Sequence, residues 1–194
     1  MNRCLLLLLA SVILLHGKVT AASTVEAEQR LKTAVDEVLV TARNTPNGKE
    51  LTDNLRPVLQ KYVSFGVMTR RAVGPGWRQF SKDQKAEATK HFTTLVIRTY
   101  ARKLTPGKEP SITFKAASAP APGRIEVPTT VLNDGSNYTV TYRLEQAEGW
   151  RITDVVIEGV SLIANYRTQL DAQFKKGGPN AVIKSLSRSA DRPK

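Results

Sequence analysis

The sequence is poor in the side chains from which catalytic and metal centres are usually built. Its single cysteine among 194 residues is Cys4, which excludes an internal disulfide and any site made of several thiolates. There are two histidines, His16 and His91. His91 falls on the polar side of an expected helix, where one imidazole is a solvated surface group, and a metal site needs several more ligands. No G-x-S-x-G elbow and no phosphate-binding loop is present. No catalytic residue, metal or cofactor is therefore expected. Long apolar runs are missing too, except near the start, where residues 5–9 and 12–15 follow Arg3 and lead to the small residues Val19, Thr20, Ala21 and Ala22. That pattern predicts a secretory signal over residues 1–22, too short to span a bilayer. Cys4 precedes the apolar run and is badly placed for lipid modification.

Acidic residues are the other scarcity, 17 against 29 lysines and arginines. Loss of the signal removes Arg3 and Lys18 and leaves 27 basic residues to the same 17 acidic ones. In a cytosolic chain that balance would suggest nucleic acid. An exported chain meets anionic head groups and envelope polymers instead, so no nucleic acid partner is expected. The remaining residues, about 172, suffice for one packed domain without disulfides. The domain is expected over residues 23–187, as a monomer, followed by a frayed polar tail at 188–194.

What is present is strong patterning. Ser23 and Glu26 form a capping box ahead of an apolar stripe of Val25, Leu31, Val35, Val38 and Leu39, ended by residues 45–48. Leu51, Leu55, Val58, Leu59 and Tyr62 predict a second helix, kinked or restarted at Pro57. A short helix over 65–73 closes at Gly74, Pro75 and Gly76, with Trp77 and Phe80 pinning the corner. Ser81 and Gln84 then cap the longest helix, with the stripe Ala88, Phe92, Leu95, Val96, Thr99, Tyr100 and Leu104, stopped at Thr105, Pro106 and Gly107.

From Ser111 the period becomes two, and four strands in meander order are expected: Ile112 and Phe114; Ile125 to Val131; Tyr138 to Leu144; Trp150 to Ile157. Asn133, Asp134 and Gly135 make one hairpin turn. In the last strand, strict alternation points Trp150, Ile152, Asp154 and Val156 one way and Val155 and Ile157 the other, so that strand is expected to be covered on both faces. Asp154 would be costly there unless paired. It reads either as a satisfied aspartate or as the base of a small hydrolase or isomerase. Glu158 and Gly159 break the strand, and Leu162, Ile163, Tyr166 and Leu170 form the stripe of a helix. Gly177, Gly178 and Pro179 lead to a last short helix with Val182, Ile183 and Leu186.

Two stretches carry a family resemblance: DVVIEGVSLIANYRTQ at 154–169 and MTRRAVGPGWRQFSKDQ at 68–84. Together, in this order, they resemble the MlaC family, periplasmic phospholipid-binding proteins also known as toluene-tolerance auxiliary proteins, and the similarity runs from about Thr24 to about Leu186. Lys61 and Ser64 depart from the family pattern, which has proline and aspartate near these positions. The resemblance implies an α+β fold: an antiparallel four-stranded curved sheet covered by helices, elaborated NTF2-like, with a lipid cavity.

It also implies a periplasmic carrier that shuttles phospholipids and maintains outer-membrane lipid asymmetry. Its partners would be an inner-membrane ABC transporter complex with its lipid-binding ring protein and an outer-membrane lipoprotein-porin complex. Expected lipid contacts on the helical segments are Phe65, Met68, Val73, Trp77, Phe92, Val96 and Tyr100, then Val160, Ile163 and Tyr166. On the strands they are Val140, Tyr142 and Trp150. Any one of these also reads as ordinary core. Arg70, Arg71, Arg78, Arg143 and Arg167 are candidates for a head group or an acidic partner surface. A carrier of another envelope lipid, such as a hopanoid, and a non-lipid structural adaptor stay open as alternatives.

Overall fold

The computed structural model describes residues 16–46, 48–104 and 109–191, with side chains from Ser23 onward. The expected signal therefore lies mostly outside the described residues, as do Asn47 and the expected helix stop at 105–107. Four helices come first: α1 His16–Arg43, α2 Lys49–Tyr62, α3 Phe65–Val73 and α4 Lys82–Ala101, with a 3-10 segment Gly74–Gln79 between the last two. Six strands follow, β1 Ser111–Phe114, β2 Ser118–Ala121, β3 Arg124–Asn133, β4 Ser136–Ala147, β5 Gly149–Ile157 and β6 Val160–Ser161, and then α5 Leu162–Asp191. All pair antiparallel in the order β1-β3-β4-β5-β6, with β2 beside the other end of β3.

The α+β class and the helix-covered antiparallel sheet hold, with six strands rather than four. The two extra strands, β2 and β6, have four and two residues, too short to show a period. β6 arises because Glu158 and Gly159 form a tight turn with positive φ at both positions, 49° and 77°. The chain thus folds back on β5 before α5 begins. Asp134 and Gly135 turn the β3–β4 hairpin with the same pair of conformations, 49° and 78°, as expected of an Asp-Gly turn.

Three helix boundaries differ from the sequence pattern. α1 is helical from His16, so Ser23 and Glu26 lie within it rather than at its start. α2 runs unbroken through Pro57; buried Leu51, Leu55 and Tyr62 lie on either side of the proline and hold both turns on one core. α5 is broken at Gly177 and Gly178 as expected, but its last segment continues to Asp191. There Ala190 is buried and its carbonyl accepts from the Arg98 guanidinium, so the expected tail is helical and docked as far as Asp191.

The most consequential difference is in β5. Leu144 pairs with Ile152 but Arg143 pairs with Asp154, so Thr153 is an extra residue in a bulge. The alternation therefore restarts. Trp150, Ile152, Val155 and Ile157 all share the face of Leu144, Tyr142 and Val140, while Arg151, Asp154 and Val156 take the other. β5 is not apolar on both faces, and Asp154 does not share a face with Trp150. The sheet has one apolar side and one charged side.

Candidate functional site

On the apolar side the cross-strand register arranges residues in rows. Ile125, Leu144 and Ile152 make the first row, Val127, Tyr142 and Val155 the second, Phe114, Thr129, Val140 and Ile157 the third, and Ile112, Val131 and Tyr138 the fourth. Exposure rises toward the hairpin tip at some positions of these rows but not at their centre, where Val127, Thr129 and Val140 are 0%, 0% and 7% exposed. The first row is 2%, 1% and 6% exposed, with Trp150 beyond it at 2%; Tyr142 and Val155 are half-buried, and Tyr138 reaches 41%.

The long helix repeats the trend: Ala88, Phe92 and Ile97 are buried, whereas Tyr100 and Leu104 near its end keep accessible surface. That end meets the hairpin tip, where the Asn133 side-chain amide donates to the Lys103 carbonyl at 3.3 Å. The interior is therefore filled at the Trp150 end, and toward the hairpin Tyr142, Val155, Tyr100 and Leu104 keep accessible surface around a still buried Thr129 and Val140.

The expected lipid contacts divide along this gradient. Phe65, Met68, Val73, Phe92, Val96, Val140, Trp150 and Ile163 are buried within or against the filled core. Trp77, Tyr100, Tyr142 and Tyr166 are half-buried. Trp77 belongs with Phe80, 5.2 Å away, and Phe80 lies 6.3 Å from Phe174, a cluster under the Gly74–Gln79 corner. The corner is tight: a Cβ on Gly76 would come 2.8 Å from the Phe174 ring. Val160 stands 60% exposed on β6, beside the open end.

Sequence reasoning did not place among the lipid contacts several other half-buried apolar residues, including Val35, Val38 and Ala42 of α1 and Phe114 and Val155 of the sheet. Their signal, an apolar stripe, is the same one that core residues give.

A dry enclosed pocket between sheet and α4, near or above the usual upper limit for ligand pockets of about 1,000 Å³, is the sequence expectation. In this form the space at the Trp150 end is occupied by side chains. Two concavities, about 960 and 500 Å³, are grooves partly open to solvent. One runs between the start of α1 and the β4–β5 turn, lined by Val25, Arg30, Glu148 and Trp150 among others. The other lies over the charged side of the sheet.

Three phenols stand in the half-buried zone. Tyr166 meets Phe92 edge-on at 5.1 Å and its hydroxyl is beside Thr99. Burial raises both the Tyr166 and Tyr100 phenols above their usual value. Tyr142 is the extreme. Surrounding protein alone, with no charge contributing, pushes its phenol up to about 12, yet the side chain keeps accessible surface. A group deep in protein that still presents surface borders unfilled space.

The charged side explains Asp154. One carboxylate oxygen accepts the Val155 and Ile163 N–H groups at 2.9 and 3.2 Å, and the other accepts the Ser161 hydroxyl at 2.7 Å and the Arg143 guanidinium at 3.1 Å. Ser161 in turn accepts the Ala164 N–H at 3.1 Å, capping α5. Asp154 is the joint between β5 and α5, with both oxygens engaged, which is the geometry of a satisfied aspartate rather than of a free base.

The arginine set also divides. Arg143 is held by Glu126 at 2.8 Å and by Asp154, and Arg71 grips both oxygens of Glu145 at 2.7 and 2.8 Å. Arg70, Arg78 and Arg167 make no ion pair among the described residues, and Arg167 packs over Gly74. His91 is half-buried, 3.7 Å from Glu87, and no group of three or more potential metal ligands occurs among the described residues.

The comparisons agree with one another. The family model described as MlaC protein matches residues 29–188. Among solved structures, the phospholipid-binding protein from Ralstonia solanacearum, in complex with a phospholipid, is 28% identical and superposes with a TM-score of 0.78. The match covers 85% of this chain and 97% of that one. No curated protein matches the chain.

Proposed function

Because the chain belongs to the MlaC family, we propose that it is a periplasmic phospholipid carrier, exported with a cleaved signal. It holds the acyl chains between the apolar side of the sheet and the helices and leaves the head group at the hairpin end. The observation that carries this reading is the one-sided sheet, whose apolar face is sealed at the Trp150 end and keeps Tyr142, Val155 and Ile157 only half-buried toward the hairpin. A protein with no cargo would fill both ends, since unfilled apolar space forfeits packing.

The energetic need is large. A diacyl lipid has on the order of 30 methylenes, each worth about 0.8 kcal/mol on leaving water, so unaided passage through an aqueous compartment is negligible. A carrier replaces the membrane by an apolar cleft. Since the cleft is partly filled in this form, uptake requires α4 to move off the sheet while the first part of α5 stays held to β5 through Asp154.

The proposed transfer partners are an inner-membrane ABC transporter complex with its lipid-binding ring protein and an outer-membrane lipoprotein-porin complex, an exchange that would maintain outer-membrane lipid asymmetry. Arg70, Arg78 and Arg167, which make no ion pair among the described residues, suit an acidic docking surface or a head-group phosphate. Arg71 and Arg143 are already engaged. The deciding experiment is organic extraction of the purified protein followed by mass spectrometry, with uptake from vesicles as the second arm. A phospholipid is expected in the extract; no co-purified lipid and no uptake from vesicles would sink the proposal.

A further inference from the structure

Resting on that carrier reading, we propose that Tyr142 selects for ester-linked lipid by donating a hydrogen bond from its hydroxyl to an acyl ester carbonyl. Tyr142 occupies the middle of the second row, with Val127 and Val155 directly across on either side. Nothing apolar packing does here needs a hydroxyl; phenylalanine would fill the same place. Buried tyrosine hydroxyls ordinarily find a partner, and the buried Thr129 hydroxyl on this face does, donating to the Val140 carbonyl at 2.9 Å.

The Tyr142 hydroxyl has no partner among the described residues. It is not sealed off either, because Trp150 Nε1 is the one buried side-chain polar atom left unbonded among them. The donor therefore faces the space that the cargo would occupy.

Depth and charge decide which atom it meets. Tyr142 is four residues along β4 from exposed Tyr138, or about 14 Å at about 3.4 Å per residue. A phosphate or a free carboxylate so deep would need a cation. Arg143, the neighbouring residue, is on the opposite face and tied to Glu126 and Asp154. No charged group perturbs the phenol. A neutral acceptor fits, and in a diacyl lipid the ester carbonyls are the neutral acceptors next below the head group. Dialkyl ether lipids offer Tyr142 only weakly accepting ether oxygens.

The test uses delipidated full-length mature protein and two kinds of vesicle, dioleoyl phosphatidylglycerol and its dialkyl ether analogue. Wild-type protein is expected to take up the diester about five-fold better, the worth of one net hydrogen bond, and Tyr142→Phe to take up both equally. Bound diester should show an ester carbonyl infrared band shifted to lower frequency in the wild type, and unshifted in Tyr142→Phe. No ester preference in the wild type, a preference that survives Tyr142→Phe, or a single unshifted carbonyl band would each overturn the role of Tyr142 while leaving the carrier reading intact. Uptake of neither lipid by the wild type would overturn both.

Discussion

The Trp150 end and the hairpin end of the sheet are built from the same kind of residue in the same alternation, and they do different things. At the Trp150 end Ile125, Leu144 and Ile152 are sealed, while one row further on Tyr142 and Val155 retain surface beside a buried Val127, and Tyr138 at the tip is 41% exposed. An alternating strand states which way its side chains point. What lies above them is decided by elements tens of residues away in sequence. The filled end is where stability concentrates, with burial of each large apolar side chain worth about 1.5–3 kcal/mol, and the open end gives up part of that in exchange for room.

That division predicts opposite rankings for stability and for lipid uptake. The largest stability effect belongs to the sealed half. Phe92→Ala should cost about 3–5 kcal/mol and Leu144→Ala about 2–5 kcal/mol, read by urea unfolding; values near zero would mean that the sealed half is not the core. Next comes the joint on the charged side. Asp154→Ala strips the acceptor from two backbone N–H groups, Ser161 and Arg143, and should cost about 2–4 kcal/mol. A loss below about 1 kcal/mol would show that α5 is held by packing alone.

In the open half, Val155→Ala and Ile157→Ala should cost about 1 kcal/mol or less, because half-burial roughly halves the transfer free energy. Uptake from vesicles should respond more to Val155→Trp, which fills the cleft, than to Leu144→Ala; the reverse order would dissolve the distinction between the ends.

A further effect is alkaline. The Tyr142 phenol is raised to about 12 when folded against about 10 unfolded. Its contribution is complete below pH about 10 and is lost as pH rises toward about 12. Tyr142→Phe should therefore flatten the decline in stability over that window, and an unchanged decline would place the phenol in water.

Much of this was legible beforehand. The Ser81 and Gln84 capping box forms both of its bonds, at 3.2 and 3.0 Å, because its geometry is local. The Asp134–Gly135 turn is local as well. The bulge at Thr153 was not legible: an inserted residue leaves composition unchanged and only resets the phase, so the sides of Asp154, Val155 and Ile157 came out reversed. Ser64 stands at the start of α3 without a side-chain cap bond; its backbone N–H instead donates to the Ile152 carbonyl at 2.9 Å, a tertiary contact that no neighbouring residue announces. The engagement of Arg71 with Glu145, 74 residues on, was beyond any spacing rule for the same reason.

The break in α5 ties these observations to motion. Before it, the helix is riveted to β5 through Asp154; after it, the segment is fastened to α4, with Gln84 donating to Asn180 at 2.8 Å and Arg98 to Ala190. Gly178, at φ 61°, lies between the two attachments. If α4 lifts away from the sheet, the terminal segment travels with it as a passenger while the first part of α5 stays moored, and the rotation falls on a backbone position with no side chain to obstruct it. A swivel of this kind lets one wall of the cleft swing without unseating the other.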